Sequence, residues 1–290
     1  MRDPIAAAIT HAIGTNVHDE PTPVGGGSIH AAFAYRTERA PIFVKVCESS
    51  AAALLAAEAD GLRELAGAQV VRVPEVLAFG KVDHRAFLCL EWLSLTAPSK
   101  MAHARLGEQL AGLHACTAAE HGWHQDNFIG RTPQQNGRHA DGVEFFRARR
   151  LLPQLDLAQE NGADARTIER GRRLAESLAG LFDGYRPRPS LLHGDLWGGN
   201  WGAVGIAEPV IFDPATYYGD READLAMTRL FGGFDAEFHA AYEATWPLAP
   251  GSANRMTLYN LYHVLNHFNL FGGGYLAQAR SMIDRLLAEV

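Results

Sequence analysis

Three oxygen-bearing side chains, Asp195, Asn200 and Asp213, stand close together in the stretch His193-Gly194-Asp195-Leu196-Trp197-Gly198-Gly199-Asn200 and its continuation to Asp213. The apolar pair Leu191 and Leu192 delivers the loop, and a second apolar run, Val210 to Phe212, ends at Asp213. If 201–204 and 209–212 form a hairpin, Asn200 and Asp213 meet at one end of it, at a separation that a metal ion bridges. A hard cation such as Mg²⁺ takes oxygen ligands, usually one or two carboxylates together with phosphate oxygens. Asp195, five residues before Asn200, is then free to hold a substrate hydroxyl.

Two further groups suit phosphate chemistry. Gly25-Gly26-Gly27-Ser28 opens a strand pattern running through Phe33 and Tyr35, and consecutive glycines let backbone N–H groups approach phosphate oxygens closely. The run lacks the Gly-Lys-Ser/Thr of a Walker loop, which disfavours a P-loop NTPase. Lys45 sits in the otherwise apolar strand pattern Pro41 to Cys47, where its ammonium needs an anionic partner. Glu58 falls inside the apolar stripe Leu54, Leu55, Leu62 and Leu65 of the next helix, where a carboxylate is costly unless paired. Lys45 and Glu58 are therefore expected to form one ion pair.

A loop Asp, an Asn five positions later, a downstream Asp on a strand and a strand Lys paired with a helix Glu divide the work of phosphoryl transfer in the protein-kinase manner. This chain lacks the Arg between His193 and Asp195, and Pro214-Ala215 follow Asp213 in place of Phe-Gly. Both departures point to the small-molecule kinase branch. The stretch closely resembles the fructosamine kinase (ketosamine-3-kinase) family, whose His-Gly-Asp-Leu-Trp-x-Gly-Asn signature and Phe-Asp-Pro-Ala element are both present, and the resemblance runs from Gly25 to Tyr275.

The resemblance implies an ATP:ketosamine 3-phosphotransferase acting on fructosamine or ribulosamine adducts of amines or proteins, a deglycating activity. It implies ATP and Mg²⁺, with Gly25, Gly26, Gly27 and Ser28 on the phosphates, Lys45 held by Glu58 on the α/β-phosphate oxygens, Asn200 and Asp213 on the metal, and Asp195 as the catalytic carboxylate. The loop 121–138, with Asn127-Phe128-Ile129-Gly130 and Thr132 to Asn136, lies in such proteins near the acceptor side of the cleft. Gln134 and Asn136 are thus expected to contact substrate, together with Trp197 packing a sugar ring and His263 and His267 lining the cleft. Asp220 is expected to cap a helix and Asp224 to brace the catalytic loop. Rival readings are a kinase for an aminoglycoside, choline or a sugar, and a nucleotide-binding regulator without catalysis.

The elements that must position these groups follow from the patterning. Ile5, Ile9 and Ile13 mark a short amphipathic helix. Strand patterns from Val24 to Cys47, at 73–80 and at 86–93 build an antiparallel sheet with one main helix, Ser49 to Leu65. Glu91 to Leu95 is the expected hinge, where backbone at Glu91 and Leu93 would meet adenine. From Lys100 onward the pattern is mostly helical, with His114 read as a satisfied core histidine and 121–138 as a long structureless loop. The expected architecture is α+β and bilobal, of the protein-kinase type: an N-lobe over 1–92 that binds nucleotide, and a larger helical C-lobe over 93–290 for catalysis and acceptor binding.

The chain has 290 residues, 47% of them hydrophobic, enough for two lobes. A net charge of −7, with 26 basic against 33 acidic residues, offers no basic footprint for nucleic acid. Cys47, Cys89 and Cys116 show no CxxC spacing and read as reduced thiols of a cytoplasmic protein. The most apolar run, Ala51 to Ala57, is far too short to span a membrane. The sequence leaves the oligomeric state open, and a monomer is plausible.

Overall fold

The computed structural model describes residues 3–25 and 30–290. The first helix, α1 (Pro4–Ile13), starts where Asp3 accepts the Ile5 N–H at 3.1 Å and Pro4 supplies a helical φ, and ends at Gly14 in the left-handed conformation. Strands β1 (Thr22–Pro23), β2 (Ala31–Tyr35) and β3 (Ile42–Glu48) lead into helix α2 (Ala52–Gly67), and β4 (Val76–Val82) and β5 (Arg85–Glu91) follow. These strands form one antiparallel sheet in the order β1-β2-β3-β5-β4.

Alternation along β3 and β5 gives the sheet two apolar faces. Val44, Val46, Phe87 and Cys89 pack outward against Ile5 and Ile9 of α1. Ala86, Leu88 and Leu90 pack inward against Leu55, Leu62 and Leu65 of α2. Lys45, one residue off Val44 and Val46, is therefore turned toward α2. The turn between β4 and β5 falls at Asp83 and His84, inside the gap expected between the strand patterns at 73–80 and 86–93 and narrower than it, because Lys81 and Val82 continue the ladder and Asp83 takes the left-handed conformation at φ 51°.

Past Glu91 the chain leaves the sheet. The two residues of β6 (Leu95–Thr96) pair with a strand more than a hundred residues further on, at Val204 and Ala203. Helix α3 (Lys100–Ala115) follows, then the hairpin β7 (Asn127–Ile129) and β8 (Thr132–Gln134). The segment 121–138 is thus not structureless. Its strands are three residues each, too short to show periodicity, and its order comes from buried side-chain amides instead.

Helix α4 (Gly142–Phe146) runs through a π-turn at 147–151 into α5 (Leu152–Glu160), and α6 (Ala165–Ser177) completes this part. Strand β9 (Ser190–Leu192) precedes the hairpin β10 (Trp201–Val204) and β11 (Glu208–Ile211), whose register pairs Trp201 with Ile211. Strand β12 (Tyr217–Gly219) pairs back with β9, and α7 (Glu222–Leu230) begins just after Asp220, close to where a cap at Asp220 placed its start. Helices α8 (Ala236–Thr245), α9 (Ser252–Phe271) and α10 (Tyr275–Leu287) close the chain.

Ser99, Asp141, Asp164 and Asp235 each accept the N–H three residues on, capping α3, α4, α6 and α8. The helical part packs around α9, whose Leu258, Leu261, Val264 and Leu265 are fully buried. The architecture is α+β, an antiparallel sheet region followed by a larger helical one. No helix among the described residues is long and apolar enough to cross a membrane.

Candidate active site

The loop between β9 and β10 is clamped from below by helix α7. Asp224 accepts the His193 and Gly194 N–H groups, each at 2.8 Å, and its Oδ2 also meets His114 Nε2 at 3.2 Å. Burial would raise the Asp224 carboxyl, but His114, His193 and the Gly194 N–H outweigh it and hold it below its ordinary value. The brace is Asp224. Asp220 instead accepts the Glu222 N–H at the front of α7, although Arg221 occupies the N-cap itself, and takes the hydroxyls of Tyr185 and Tyr259. His114 is the satisfied core histidine expected, its Nδ1 against the Tyr242 hydroxyl at 2.8 Å.

His193 ties the loop to the segment after β11. Burial lowers its pKa, so the ring is neutral: Nε2–H donates to the Phe212 carbonyl at 2.9 Å while Nδ1 accepts the Asp195 N–H at 3.2 Å. Gly194 has φ +84°, and a Cβ there would lie 2.1 Å from the Ala215 carbonyl oxygen. Only glycine permits both. The Ala215 N–H returns a bond to the His193 carbonyl at 2.9 Å, so the two segments are laced together.

On this scaffold the expected groups converge. Asn200 Nδ2 donates to the Asp195 carbonyl at 2.9 Å, to Asp195 Oδ2 at 3.2 Å and to the Asp213 carbonyl at 3.4 Å. Asn200 Oδ1 accepts no hydrogen bond among the described residues. Asp213 sits at φ 57°, a left-handed conformation that Asp tolerates better than most residues. Its Oδ1 lies 2.6 Å from Lys45 Nζ, which also binds Glu58 Oε1 at 2.7 Å.

One ammonium is therefore shared by two carboxylates. Burial alone would lower the Lys45 pKa, but Glu58 and Asp213 outweigh it and keep the group charged. Burial pushes the Glu58 carboxyl up, Lys45 opposing and Asp213 adding to the rise, because the second carboxylate competes for the same cation. Asp195 is half-buried, and burial raises its carboxyl well above the ordinary range, with the neighbouring Asp213 charge adding to the effect.

These groups line one cavity of 690 Å³, a volume suited to a nucleotide-sized ligand. Gly25, Lys45, Glu58, Glu91, Leu93, Trp197, Asn200 and Asp213 all contribute to its wall, as does Asp195. Gly26, Gly27 and Ser28 lie outside the described residues. The Glu91 side chain is committed to Arg72 at 2.6 Å and its N–H to the Glu75 carbonyl at 2.9 Å, so neither is available to a base. The Leu93 N–H has no hydrogen bond among the described residues, while its carbonyl accepts from Leu95. Trp197 is 40% exposed, its ring lying over Gly199.

Four expected substrate contacts are corrected. Gln134 and Asn136 are buried with their amides fully engaged: Gln134 bonds Asn127, the Ala215 carbonyl and the Tyr262 hydroxyl, and Asn136 bonds Asn127, the Gln125 carbonyl and Arg150. They hold the floor beneath the cleft and do not face it. His263 is buried in α9, burial pushing its imidazole down to about 3, and His267 is held among the rings of Phe231, Phe271 and Tyr275 with Nδ1 on the His263 carbonyl. Neither lines the cavity.

Other residues took their place. Asn127 and Phe128 line the cavity from the β7–β8 hairpin, and Phe43 and Leu90 supply apolar wall from the sheet. Phe43 was discoverable, since it shares a strand face with Lys45 two residues on. Buried Arg150 had no sequence signal. Its guanidinium lies 4.0 Å from the Tyr217 ring centre and 4.8 Å from that of Phe145, and donates to Gln135 and Asn136.

An antiparallel sheet flanked by a lysine–glutamate pair, set over a helical region whose loop presents Asp, Asn and Asp to the same cavity, defines a protein-kinase-like phosphotransferase. The fold is shared with a thermostable variant of an aminoglycoside phosphotransferase solved with ADP and hygromycin B, at a TM-score of 0.67, 14% identity and 99% coverage of both chains. The chain belongs to the fructosamine kinase family, whose profile matches residues 1–289. It is 42% identical over 265 residues to the probable ketoamine kinase of Synechocystis, covering 91% of this chain and 89% of that one. A Thermobifida fusca protein, its crystal structure assigned as a fructosamine-3-kinase, superposes with a TM-score of 0.87 at 31% identity over 98% of each chain. This protein is a kinase.

Proposed function

We propose that this kinase moves the γ-phosphoryl group of ATP to the 3-hydroxyl of ketosamines, fructosamine or ribulosamine adducts of amines or proteins. The observation that carries the reading is that Asp195 stands beside Asn200 and Asp213 in one cavity with the Lys45–Glu58 pair, in a chain of the fructosamine kinase family. Residues 1–92 act as the nucleotide lobe and 93–290 as the catalytic and acceptor lobe. Gly25 to Ser28 and Lys45 take the phosphates, with Glu58 holding Lys45. The Leu93 N–H and the Glu91 carbonyl take the adenine.

The donor set suits Mg²⁺: Asn200 Oδ1 and the Asp213 carboxylate are hard oxygen donors, and phosphate oxygens complete such a shell. When bound, the ion neutralises phosphate charge and orients the nucleotide. Asp195 accepts the hydroxyl proton as the acceptor oxygen bonds to phosphorus and the bond from phosphorus to ADP breaks. Its raised pKa makes it a stronger acceptor than an ordinary carboxylate. Trp197 packs the sugar ring. The three thiols are free, which suits a reducing, cytoplasmic setting.

The test is ATP consumption with a panel of ribulosamines and fructosamines, beside aminoglycosides, choline and free sugars, with the phosphate located on the product by NMR. Turnover confined to the ketosamines and a product phosphorylated at C3 is expected. Turnover only with another acceptor, or phosphate on another hydroxyl, would overturn the reading.

A further inference from the structure

The hairpin β7–β8 is a small element on an elaborate mount. Asn127 Nδ2 donates to the Thr216 carbonyl at 2.8 Å, and Gln134 Nε2 to Asn127 Oδ1 at 2.8 Å and to the Ala215 carbonyl at 3.2 Å. Asn136 joins Asn127 at 2.7 Å, and Arg150 joins Asn136 at 2.7 Å from within its aromatic cage. The ladder therefore binds the hairpin to the backbone two and three residues after Asp213. Buried networks of this kind rigidify what they hold when their members are satisfied.

What is held is a two-residue turn, Gly130-Arg131, between the pairs Ile129–Thr132. Gly130 lines the same cavity as Lys45, Asp195 and Asp213, with Asn127 and Phe128 behind it. Arg131 is exposed and has no ion pair or hydrogen bond among the described residues. Lys45, the cation that lines the cavity among the described residues, is already shared between two carboxylates.

We propose that Arg131 is a further catalytic residue, a second cation of the phosphate site, which holds the γ-phosphoryl oxygens from the helical side of the cleft while Lys45 holds the α/β-phosphates from the sheet side. The electrostatics agree. His30, which lines the cavity beyond the glycine run, has a lowered pKa: burial is the largest cause, Lys45 and Arg131 both add to it, and Asp213 opposes. The Arg131 charge is thus near enough to bear on His30 in the wall of that cavity, as Lys45 and Asp213 do. A planar guanidinium suits a phosphoryl group because its donors match two oxygens at once, and cations that reach the transferring group lower the barrier more than they strengthen ground-state binding. The proposal rests on the kinase reading above but not on the identity of the acceptor.

The experiment compares wild type with Arg131→Ala and Arg131→Lys in nucleotide binding and in turnover. Binding is read by titration with a non-hydrolysable ATP analogue and with ADP, each with Mg²⁺. The expected result for Arg131→Ala is about a tenfold loss of affinity for the triphosphate and less than about twofold for ADP, with kcat reduced about a hundredfold and the acceptor KM unchanged. Arg131→Lys should recover part of kcat. Equal losses for both nucleotides, wild-type values for both, or a raised acceptor KM with unchanged kcat would each overturn the proposal, the last by moving Arg131 to the acceptor. Because nucleotide titration needs no acceptor, failure of the ketosamine assignment would appear as inactive wild type with the binding difference intact.

Discussion

Asp195 is the residue at which chemistry and stability oppose each other. Its carboxyl is raised by burial and by Asp213, so its folded-state pKa lies above an unfolded value of about 3.9. Its contribution to stability is then fully present below that unfolded value and is lost as pH rises through the folded-state pKa. Asp195→Asn should abolish turnover while raising Tm by about 2–4 °C at neutral pH, and the gain should vanish in acid. Thermal melts across pH check this, and a lower Tm at neutral pH would contradict it. Lys45→Met is expected to behave in the opposite way: it leaves Glu58 and Asp213 facing each other without their shared cation. The variant should lose nucleotide affinity at least tenfold and melt lower than wild type, as titration and calorimetry would show.

At the scale of elements, the catalytic loop is a suspended structure, held by Asp224 below and by the segment 212–215 beside it. Gly194→Ala places a methyl against the Ala215 carbonyl and forces a residue with φ +84° out of its preferred region. We expect kcat to fall at least a hundredfold with nucleotide affinity within threefold of wild type, since Lys45 and the sheet are untouched. Fluorescence titration alongside steady-state kinetics separates the two. The same scale explains the misassigned residues. Gln134 and Asn136 belong to a segment rich in polar side chains, which in sequence looks like a surface loop reaching for substrate. In the fold both amides donate to Asn127 Oδ1, while Gln134 and Asn127 take the carbonyls at 215 and 216, because burying backbone there leaves acceptors that only side chains can satisfy.

Across the whole molecule, the helical region carries a second buried ion pair remote from the chemistry. Arg255 meets Glu222 through two parallel bonds of 2.8 and 2.9 Å, both side chains essentially inaccessible, with the Arg255 guanidinium 3.8 Å from the Tyr185 ring centre. It joins the start of α7, which carries Asp224, to the start of α9. Removing one partner strands the other: Glu222→Ala should cost about 3–5 kcal/mol in denaturant unfolding, and Glu222→Leu with Arg255→Met should recover much of that. A loss below about 1 kcal/mol in the single variant would show that the pair does not fasten the helices. Because Asp224 lies on the same helix, kcat is expected to fall in Glu222→Ala even where the protein remains folded.

The amino-acid sequence by itself determined which groups could perform phosphoryl transfer and on which kind of element each rides. A lysine inside an apolar strand, a glutamate inside an apolar helix stripe, and Asp195, Asn200 and Asp213 bracketing one hairpin are local patterns, and local patterns survive folding because strand and helix periods decide which way neighbouring side chains point. Only the tertiary structure decided what those groups touch. That Lys45 divides itself between Glu58 and Asp213, that Arg150 stacks on rings and not on a carboxylate, and that a hairpin of three-residue strands stands beside the cleft are contacts between segments far apart in the chain. Their partners are chosen by packing and by the need of every buried polar group for a mate, and neither leaves a period along the sequence.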